Sequence, residues 1–271
     1  MSVTITASMV NELRSKTSQP MMDCKKALNE AGGDMEKAMD IFRKKGVKAS
    51  LQERVASEGR LSVAVSPDKK TAVSAVVVCN TDFTAKSDVV TKILDTATSK
   101  LLANPAADVA GDPAVKELVT SAAQQTGENV QLGRAVAINA PNGSAGAYVY
   151  AITNKLGVLM AFKGTASDDL IKQLGGHISF CKPLGLTRAE VPADLVAKEK
   201  EIAVEQAKAT GKPQQIAEKI AEGKLNSFFA ERVLLDQEFF NASIFKGTVS
   251  NYLKQNGVEL EKYILVEVSK G

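Results

Sequence analysis

The side chains of this chain that could do acid–base or nucleophilic chemistry are few and stand far apart. The single histidine, His177, follows two glycines on a predicted helix, and we find no cysteine or acidic residue close enough in sequence to form a catalytic dyad or a metal-ligand pair with it. The sequence has no phosphate-binding loop of the GxxxxGKS/T or GxGxxG type, and Asp82 lacks a nearby second carboxylate. We therefore predict that His177 is structural, that the protein is not an enzyme, and that it holds no metal and no cofactor.

A residue suited to recognition rather than catalysis is Phe83. It lies in the sequence Cys79-Asn80-Thr81-Asp82-Phe83-Thr84-Ala85-Lys86, directly after the apolar run 75–78. The β-branched run predicts a buried strand, and the Asn and Asp residues predict a turn, so we expect the ring to face outward. Large rigid side chains presented by a scaffold are typical of partner-binding hot spots. The alternative is that Phe83 covers the protein's own core.

Three short helices are predicted in the N-terminal part of the chain, the second over 21–30 and the third over 35–45. Their ends are marked by the caps Thr6 or Ser8 and Asp34, and by the stop Gly46. The buried stripe of the second helix is predicted to comprise Met21, Cys24, Leu28 and Ala31. Residues 1–54 are therefore predicted to form a small three-helix module.

The rest of the chain alternates between strand and helix patterns, which is typical of an α+β fold with antiparallel sheets. Two series of similar order indicate two core subdomains, at 55–140 and 141–271. The first series has strands at 60–65, 71–79 and 130–139 and helices at 87–103 and 114–125. The second has strands at 145–153, 157–164 and 263–269 and a helix at 167–177.

A stretch of different character interrupts the second subdomain at about 190–234. It is rich in Ala, Glu, Lys, Gln and Ile, and Thr210-Gly211-Lys212-Pro213 divides it into two helical runs. The pattern predicts a helical hairpin whose apolar stripe is narrow, so we expect it to project as a coiled-coil arm. The alternative is that the hairpin packs on the sheet.

Composition limits the class of protein. The 271 residues are 44% hydrophobic and 24% charged, with a net charge of only +3, so we expect no direct nucleic-acid binding. The basic group at the end of the third helix is interpreted as complementing the helix dipole; it comprises Arg43, Lys44, Lys45 and Lys48. Cys24, Cys79 and Cys181 are odd in number and widely spaced, which favours reduced thiols. With no leader-like or membrane-spanning apolar segment, a cytoplasmic protein that does not bind membranes is expected.

Two specific motifs carry a resemblance to a known family. The first motif has two parts, Met9-Val10-Asn11-Glu12-Leu13-Arg14 and Met21-Met22-Asp23-Cys24-Lys25-Lys26-Ala27-Leu28. The second motif is Asn80-Thr81-Asp82-Phe83-Thr84-Ala85-Lys86. In this order they resemble bacterial translation elongation factor Ts, and the similarity extends over essentially the whole chain. The chain ends soon after its last predicted strand, so the additional C-terminal helical module of some members is not expected.

The resemblance implies a guanine-nucleotide exchange factor that binds elongation factor Tu and speeds GDP release. It implies a ubiquitin-associated-like N-terminal module, a two-subdomain core and a coiled-coil arm. By the same resemblance, one segment is implied to lie beside the partner's magnesium site. We call it the Phe83 segment; it comprises Thr81, Asp82, Phe83, Thr84, Ala85 and Lys86. The N-terminal module is implied to contact the partner near Arg14, Met21, Met22 and Lys25.

Two positions depart from the family pattern, and one alternative function stays open. Thr84 stands where Val is usual, and Tyr150 stands where the family commonly has His. The alternative is a scaffold or RNA-associated protein of the translation machinery, using the basic helix end and the arm as adhesive surfaces. Steep weakening by salt would distinguish such a nucleic-acid binder.

Overall fold

The computed structural model describes residues 5–17, 19–45, 56–208 and 214–268. Five of the sequence predictions concern residues outside these ranges: the stop at Gly46, the basic residue Lys48, the domain boundary at 54/55, the Thr210–Pro213 turn and the end of the last strand at Ser269. The described side chains likewise do not include those of 43–45, which carry the remainder of the basic group.

The described residues form an α+β fold, as predicted, with ten α-helices and six strands. The helices are α1 Ala7–Thr17, α2 Met21–Glu30, α3 Met35–Lys45, α4 Asp82–Ala85, α5 Asp88–Ala103, α6 Pro113–Thr126, α7 Asp168–Cys181, α8 Ala193–Lys208, α9 Gln214–Arg232 and α10 Val249–Gln255. The strands are β1 Glu58–Val65, β2 Thr71–Cys79, β3 Gln131–Asn139, β4 Ala145–Val149, β5 Leu156–Lys163 and β6 Glu259–Glu267.

The first three helices pack around a small core of their own. Leu13, Cys24 and Leu28 are fully buried there. The Met9 N–H donates to Thr6 Oγ1 at 3.3 Å, which identifies Thr6 as the cap of α1. Met21 was predicted to belong to the buried stripe, but half of its surface is exposed. It is the first residue of α2, and because helical side chains lean toward the N-terminus, it extends past the packed turns.

Two three-stranded antiparallel sheets form the body of the protein, with strand orders β1-β2-β3 and β4-β5-β6. The central strands β2 and β5 are buried on both faces. On β2, Val73 and Val77 face α5 and α6, whereas Val76 belongs to the layer between the sheets. Burial on both faces explains why these strands have continuous apolar runs rather than an alternating pattern.

The second sheet has its own helical layer, which packs on the face opposite to the first sheet. Met160 and Phe162 of β5 are fully buried there with residues of α7 and α10, while Leu159 faces the first sheet. β4 ends at Val149, earlier than predicted, because residues 151–154 form a turn in which Asn154 has a φ of 52°. α7 continues to Cys181, and β6 begins at Glu259.

The helices α8 and α9 pack against each other, and in the described part of the chain neither makes extensive contact with a sheet. A polar anchor holds the base of the pair. Arg188 Nε donates to Asp236 at 2.6 Å, and its guanidinium lies 4.8 Å from the centre of the Phe229 ring. A coiled-coil arrangement of the pair stays a prediction, as does the division of the chain into domains.

Candidate partner-binding site

Phe83 lies on α4, a single helical turn between the end of β2 and the start of α5. Its side chain is 83% exposed, so the structure places the ring outward, as the sequence predicts. The next two residues, Thr84 and Ala85, are buried, and the turn contacts β1 and β2. The ring therefore projects from a short helix whose other side is embedded in the fold.

Hydrogen bonds at both ends of α4 hold this turn in place. Thr81 is the N-cap, and its Oγ1 accepts a hydrogen bond from the Thr84 N–H at 3.3 Å. At the other end, Ser87 Oγ donates to the Thr84 carbonyl at 2.6 Å. Because the backbone is held before and after the ring, the orientation of Phe83 is set by the scaffold rather than by the ring's own contacts.

Glu128, which sequence reasoning missed, contributes most to this support. Its Oε2 accepts hydrogen bonds from the backbone N–H groups of Asn80 and Thr81, each at 3.1 Å. The Thr81 hydroxyl donates to Oε1 at 2.6 Å. The residues are 47 or 48 positions apart, and an isolated Glu after a helix end gives no sequence signal of such a contact.

The charges of the Phe83 segment flank the exposed ring. Lys86 Nζ lies 2.8 Å from Asp82 Oδ2, one helical turn away, and both side chains are exposed. The hydrogen bond from Lys86 holds the pKa of the Asp82 carboxyl below its usual value. Asp82 is therefore ionised at neutral pH and lies at the surface beside the ring.

Cys79, at the end of β2, supports the same turn as a neutral thiol. Its Sγ donates to the Thr81 carbonyl at 3.2 Å. Burial raises the pKa of Cys79 to about 11, and the nearby Glu128 carboxylate adds to the shift. Cys24, Cys79 and Cys181, which all lie in the described part of the chain, are not joined by a disulfide bond.

In the N-terminal module, three of the four predicted contact residues lie together. Met21, Met22 and Lys25 line an open cavity of about 290 Å³ with the beginning of α1. Met22 is 66% exposed. Arg14 is exposed on α1 but does not line this cavity.

His177 is fully buried and hydrogen bonded on both sides, consistent with a structural role. The Phe240 N–H donates to its Nδ1 at 3.1 Å, so the ring proton is on Nε2, which donates to Gln237 Oε1 at 2.9 Å. The prediction that no cysteine is near was wrong, since Cys181 Sγ lies 3.9 Å from Nδ1, one turn along α7. Burial raises the pKa of that thiol, and Nδ1 already has a donor, so the pair does not form a thiolate–imidazolium dyad.

The burial of His177 predicts a pH dependence of stability. Burial lowers its pKa, and the hydrogen bond to Gln237 offsets only part of the shift. The unfolded state therefore binds more protons than the native state below about pH 6.5, so the free energy of unfolding should fall as the pH is lowered. The slope contributed by one site is at most about 1.4 kcal/mol per pH unit. Urea unfolding between about pH 7 and pH 5.5 should show this fall in the wild type and a flatter profile in His177→Asn. Equal slopes would contradict the assignment.

Comparison with known proteins shows the family of this chain. A model of the family described as Elongation factor TS matches residues 80–270, which include the whole Phe83 segment. The chain belongs to the elongation factor Ts family.

Relatives named elongation factor Ts extend the match to the N-terminal module. The protein of Thiobacillus denitrificans is 39% identical over 276 residues, that of Methylococcus capsulatus 37% over 279, and that of Aromatoleum aromaticum 40% over 278. These alignments cover 98% or 99% of this chain and 92% to 94% of the relatives. Membership therefore applies to nearly the full length, and it identifies a translation elongation factor.

Two further observations concern metal sites and membrane-spanning helices. Among the described residues, no group of three or more His, Cys, Asp or Glu side chains is placed to hold a metal ion. Nor does any described helix have the length and apolar character needed to cross a bilayer.

Proposed function

We propose that this protein is a guanine-nucleotide exchange factor for elongation factor Tu. Membership of the elongation factor Ts family supports the proposal, and the observation that carries it is the 83% exposure of Phe83 on a firmly held turn. An aromatic ring of this size exposed to water is suited to insertion into a partner. Translation elongation would place the protein in the cytoplasm, where its three free thiols would stay reduced.

An exchange factor needs no bond-making chemistry of its own. If it binds the nucleotide-free partner more tightly than the GDP-bound partner, linkage requires that it weaken GDP binding by the same factor. The required differential affinity comes from contacts made only when the nucleotide site is disturbed. The Phe83 segment offers such contacts, since it presents a ring and an ionised carboxylate from one helical turn.

In the proposed mechanism, Phe83 and Asp82 enter the partner beside its bound magnesium. Magnesium requires near-octahedral oxygen coordination, so a displaced ligand or helix would release the ion and weaken the hold on the phosphates. Removing the ion's charge increases repulsion among those phosphates and thereby favours GDP release. Thr81 and Glu128 hold the base of the segment and so limit the entropy lost on insertion.

We propose the N-terminal module as a second contact region. Met21 and Met22 are exposed apolar side chains beside Lys25, a combination suited to an apolar partner surface with an acidic rim. Arg14 lies outside that cavity and would contact the partner separately. The ubiquitin-associated-like identity of residues 1–54 and the coiled-coil identity of the arm belong to the same proposal.

The test is stopped-flow release of a fluorescent GDP from elongation factor Tu, with magnesium present and with this protein in catalytic amounts. Release is expected to accelerate many-fold and to saturate with protein concentration. The acceleration should depend only weakly on salt, because it relies on apolar anchors rather than on counterion release. Failure to accelerate release from a matched partner would overturn the proposal and favour the scaffold or RNA-associated alternative, whose binding should weaken steeply with salt.

A further inference from the structure

The Phe83 segment is connected to a distant part of the chain through one carboxylate. Glu128 lies directly after α6 and Gly127, whose φ of 68° ends that helix in the left-handed conformation. It accepts three hydrogen bonds, all from Asn80 and Thr81. The Asn129 N–H adds a bond of 2.8 Å to Asn80 Oδ1, so the two segments are joined side by side.

The carboxylate acts on Phe83 through the Thr81 hydroxyl. That hydroxyl donates to Glu128 Oε1 at 2.6 Å and accepts from the Thr84 N–H at 3.3 Å. Because the hydroxyl hydrogen points to Glu128, a lone pair of Thr81 Oγ1 is available to the turn that carries the ring. Charge-assisted bonds of this kind are stronger than neutral ones, so Glu128 sets the geometry of the cap.

The contacts of Glu128 are local to this turn. It is half-buried, and it is not one of the apolar residues that form the core between the first sheet, α5 and α6. Within the described residues, no lysine or arginine forms an ion pair with it. Losing the carboxylate should therefore free the start of α4 while the sheet and its helices stay packed.

We infer that Glu128 is a positioning residue for nucleotide exchange, an inference that rests on the proposed function. It holds the Phe83 ring in the orientation that enters the partner, and it touches neither the nucleotide nor the magnesium. Without the Glu128 carboxylate, the turn samples other orientations. The turn then has to become ordered during insertion, and the entropy lost in that step slows exchange. Glu128 then affects the exchange rate only when the ring is present.

Three variants isolate this effect. Glu128→Ala removes all three acceptor bonds. Glu128→Gln keeps the two backbone bonds, since its amide oxygen accepts from both N–H groups, but it reverses the third, because its NH₂ donates to the Thr81 hydroxyl. Glu117→Ala is the matched control, because Glu117 is an exposed carboxylate on α6 and, among the described residues, has no hydrogen bond or ion pair to the Phe83 segment. Each is made in the full chain, alone and together with Phe83→Ala.

The measurements are GDP release from elongation factor Tu at saturating protein, and amide hydrogen exchange of residues 81–87. Glu128→Ala is expected to lower the maximal release rate about tenfold, a coupling of ordinary size for residues in one network. Glu128→Gln, which keeps the two backbone bonds but not the charge-assisted bond from Thr81, should recover part of the rate, and Glu117→Ala should match wild type. In the Phe83→Ala background, Glu128→Ala should have little further effect. Faster amide exchange confined to the turn, with only a small fall in the thermal midpoint by circular dichroism, is expected for Glu128→Ala.

Failure of this inference and failure of the proposed function give different results. If Phe83→Ala lowers exchange but Glu128→Ala does not, the positioning role is overturned and the function stands. An equal loss from Glu128→Ala in both backgrounds also overturns the positioning role, because the carboxylate would then act elsewhere in the fold. If Phe83→Ala leaves exchange unchanged, the role proposed for the Phe83 ring fails, and the role of Glu128 fails with it, whereas the function itself fails only if the wild type does not accelerate release.

Discussion

Replacing Phe83 by alanine is expected to remove most of the acceleration of GDP release while leaving the fold intact. Truncation of a central aromatic anchor typically costs about 2–4 kcal/mol, which corresponds to a roughly 30-fold or larger loss in the exchange rate. The side chain is 83% exposed in the free protein, so its removal leaves no cavity. The free energy of unfolding should change by less than about 0.5 kcal/mol, as for other surface substitutions.

The matched control is Phe180→Ala. Phe180 lies on α7 and is 78% exposed, so the same atoms are removed from a similarly solvated site. It should leave GDP release at the wild-type rate. Acceleration by Phe83→Ala equal to that of the wild type would contradict the role proposed for this ring. A large fall in its melting temperature would instead favour the alternative that Phe83 stabilises its own domain.

Local chemistry allowed several features of this fold to be predicted closely. Met21–Glu30 and Thr71–Cys79 were predicted with their observed ends, because a proline, two glycines or a turn sequence marks each boundary. The outward direction of Phe83 was predictable for the same reason, since it follows a buried strand within a polar turn. Such signals act over a few residues and can be read directly from the chain.

Contacts that depend on the packing of elements or on the full length of a helix could not be predicted from these local signals. The continuous apolar run of β2 indicates burial on both faces, but it does not show that one face meets a second sheet rather than a helix. Glu128 and Thr81 are 47 residues apart, and their bond depends on how α6 packs against α5, the helix that covers the first sheet. The proximity of Cys181 to His177 depended on the length of α7, which the pattern underestimated. The first two features exist only after the elements have packed, whereas the contact between Cys181 and His177 needed only the full length of α7.

The largest effect on stability is expected from Phe162→Ala. Phe162 is fully buried on β5, in the core between the second sheet and its helices. Deleting a buried phenyl ring lowers the free energy of unfolding by about 3–5 kcal/mol. Both the loss of buried apolar surface and the cavity that remains destabilise the native state. This is a large fraction of the roughly 5–15 kcal/mol that stabilises a typical domain.

Tyrosine fluorescence can report this loss selectively. The chain has no tryptophan, and its four tyrosines all lie within 141–271, the part that contains Phe162. In urea, the midpoint for Phe162→Ala should fall by about 1.5–2.5 M if the slope is about 2 kcal/mol per molar. Phe180→Ala, the same substitution at an exposed site, should shift it little. A shift of similar size in both variants would contradict the burial of Phe162. Together with Phe83→Ala, these variants separate a ring needed for folding, a ring needed for exchange and a ring needed for neither.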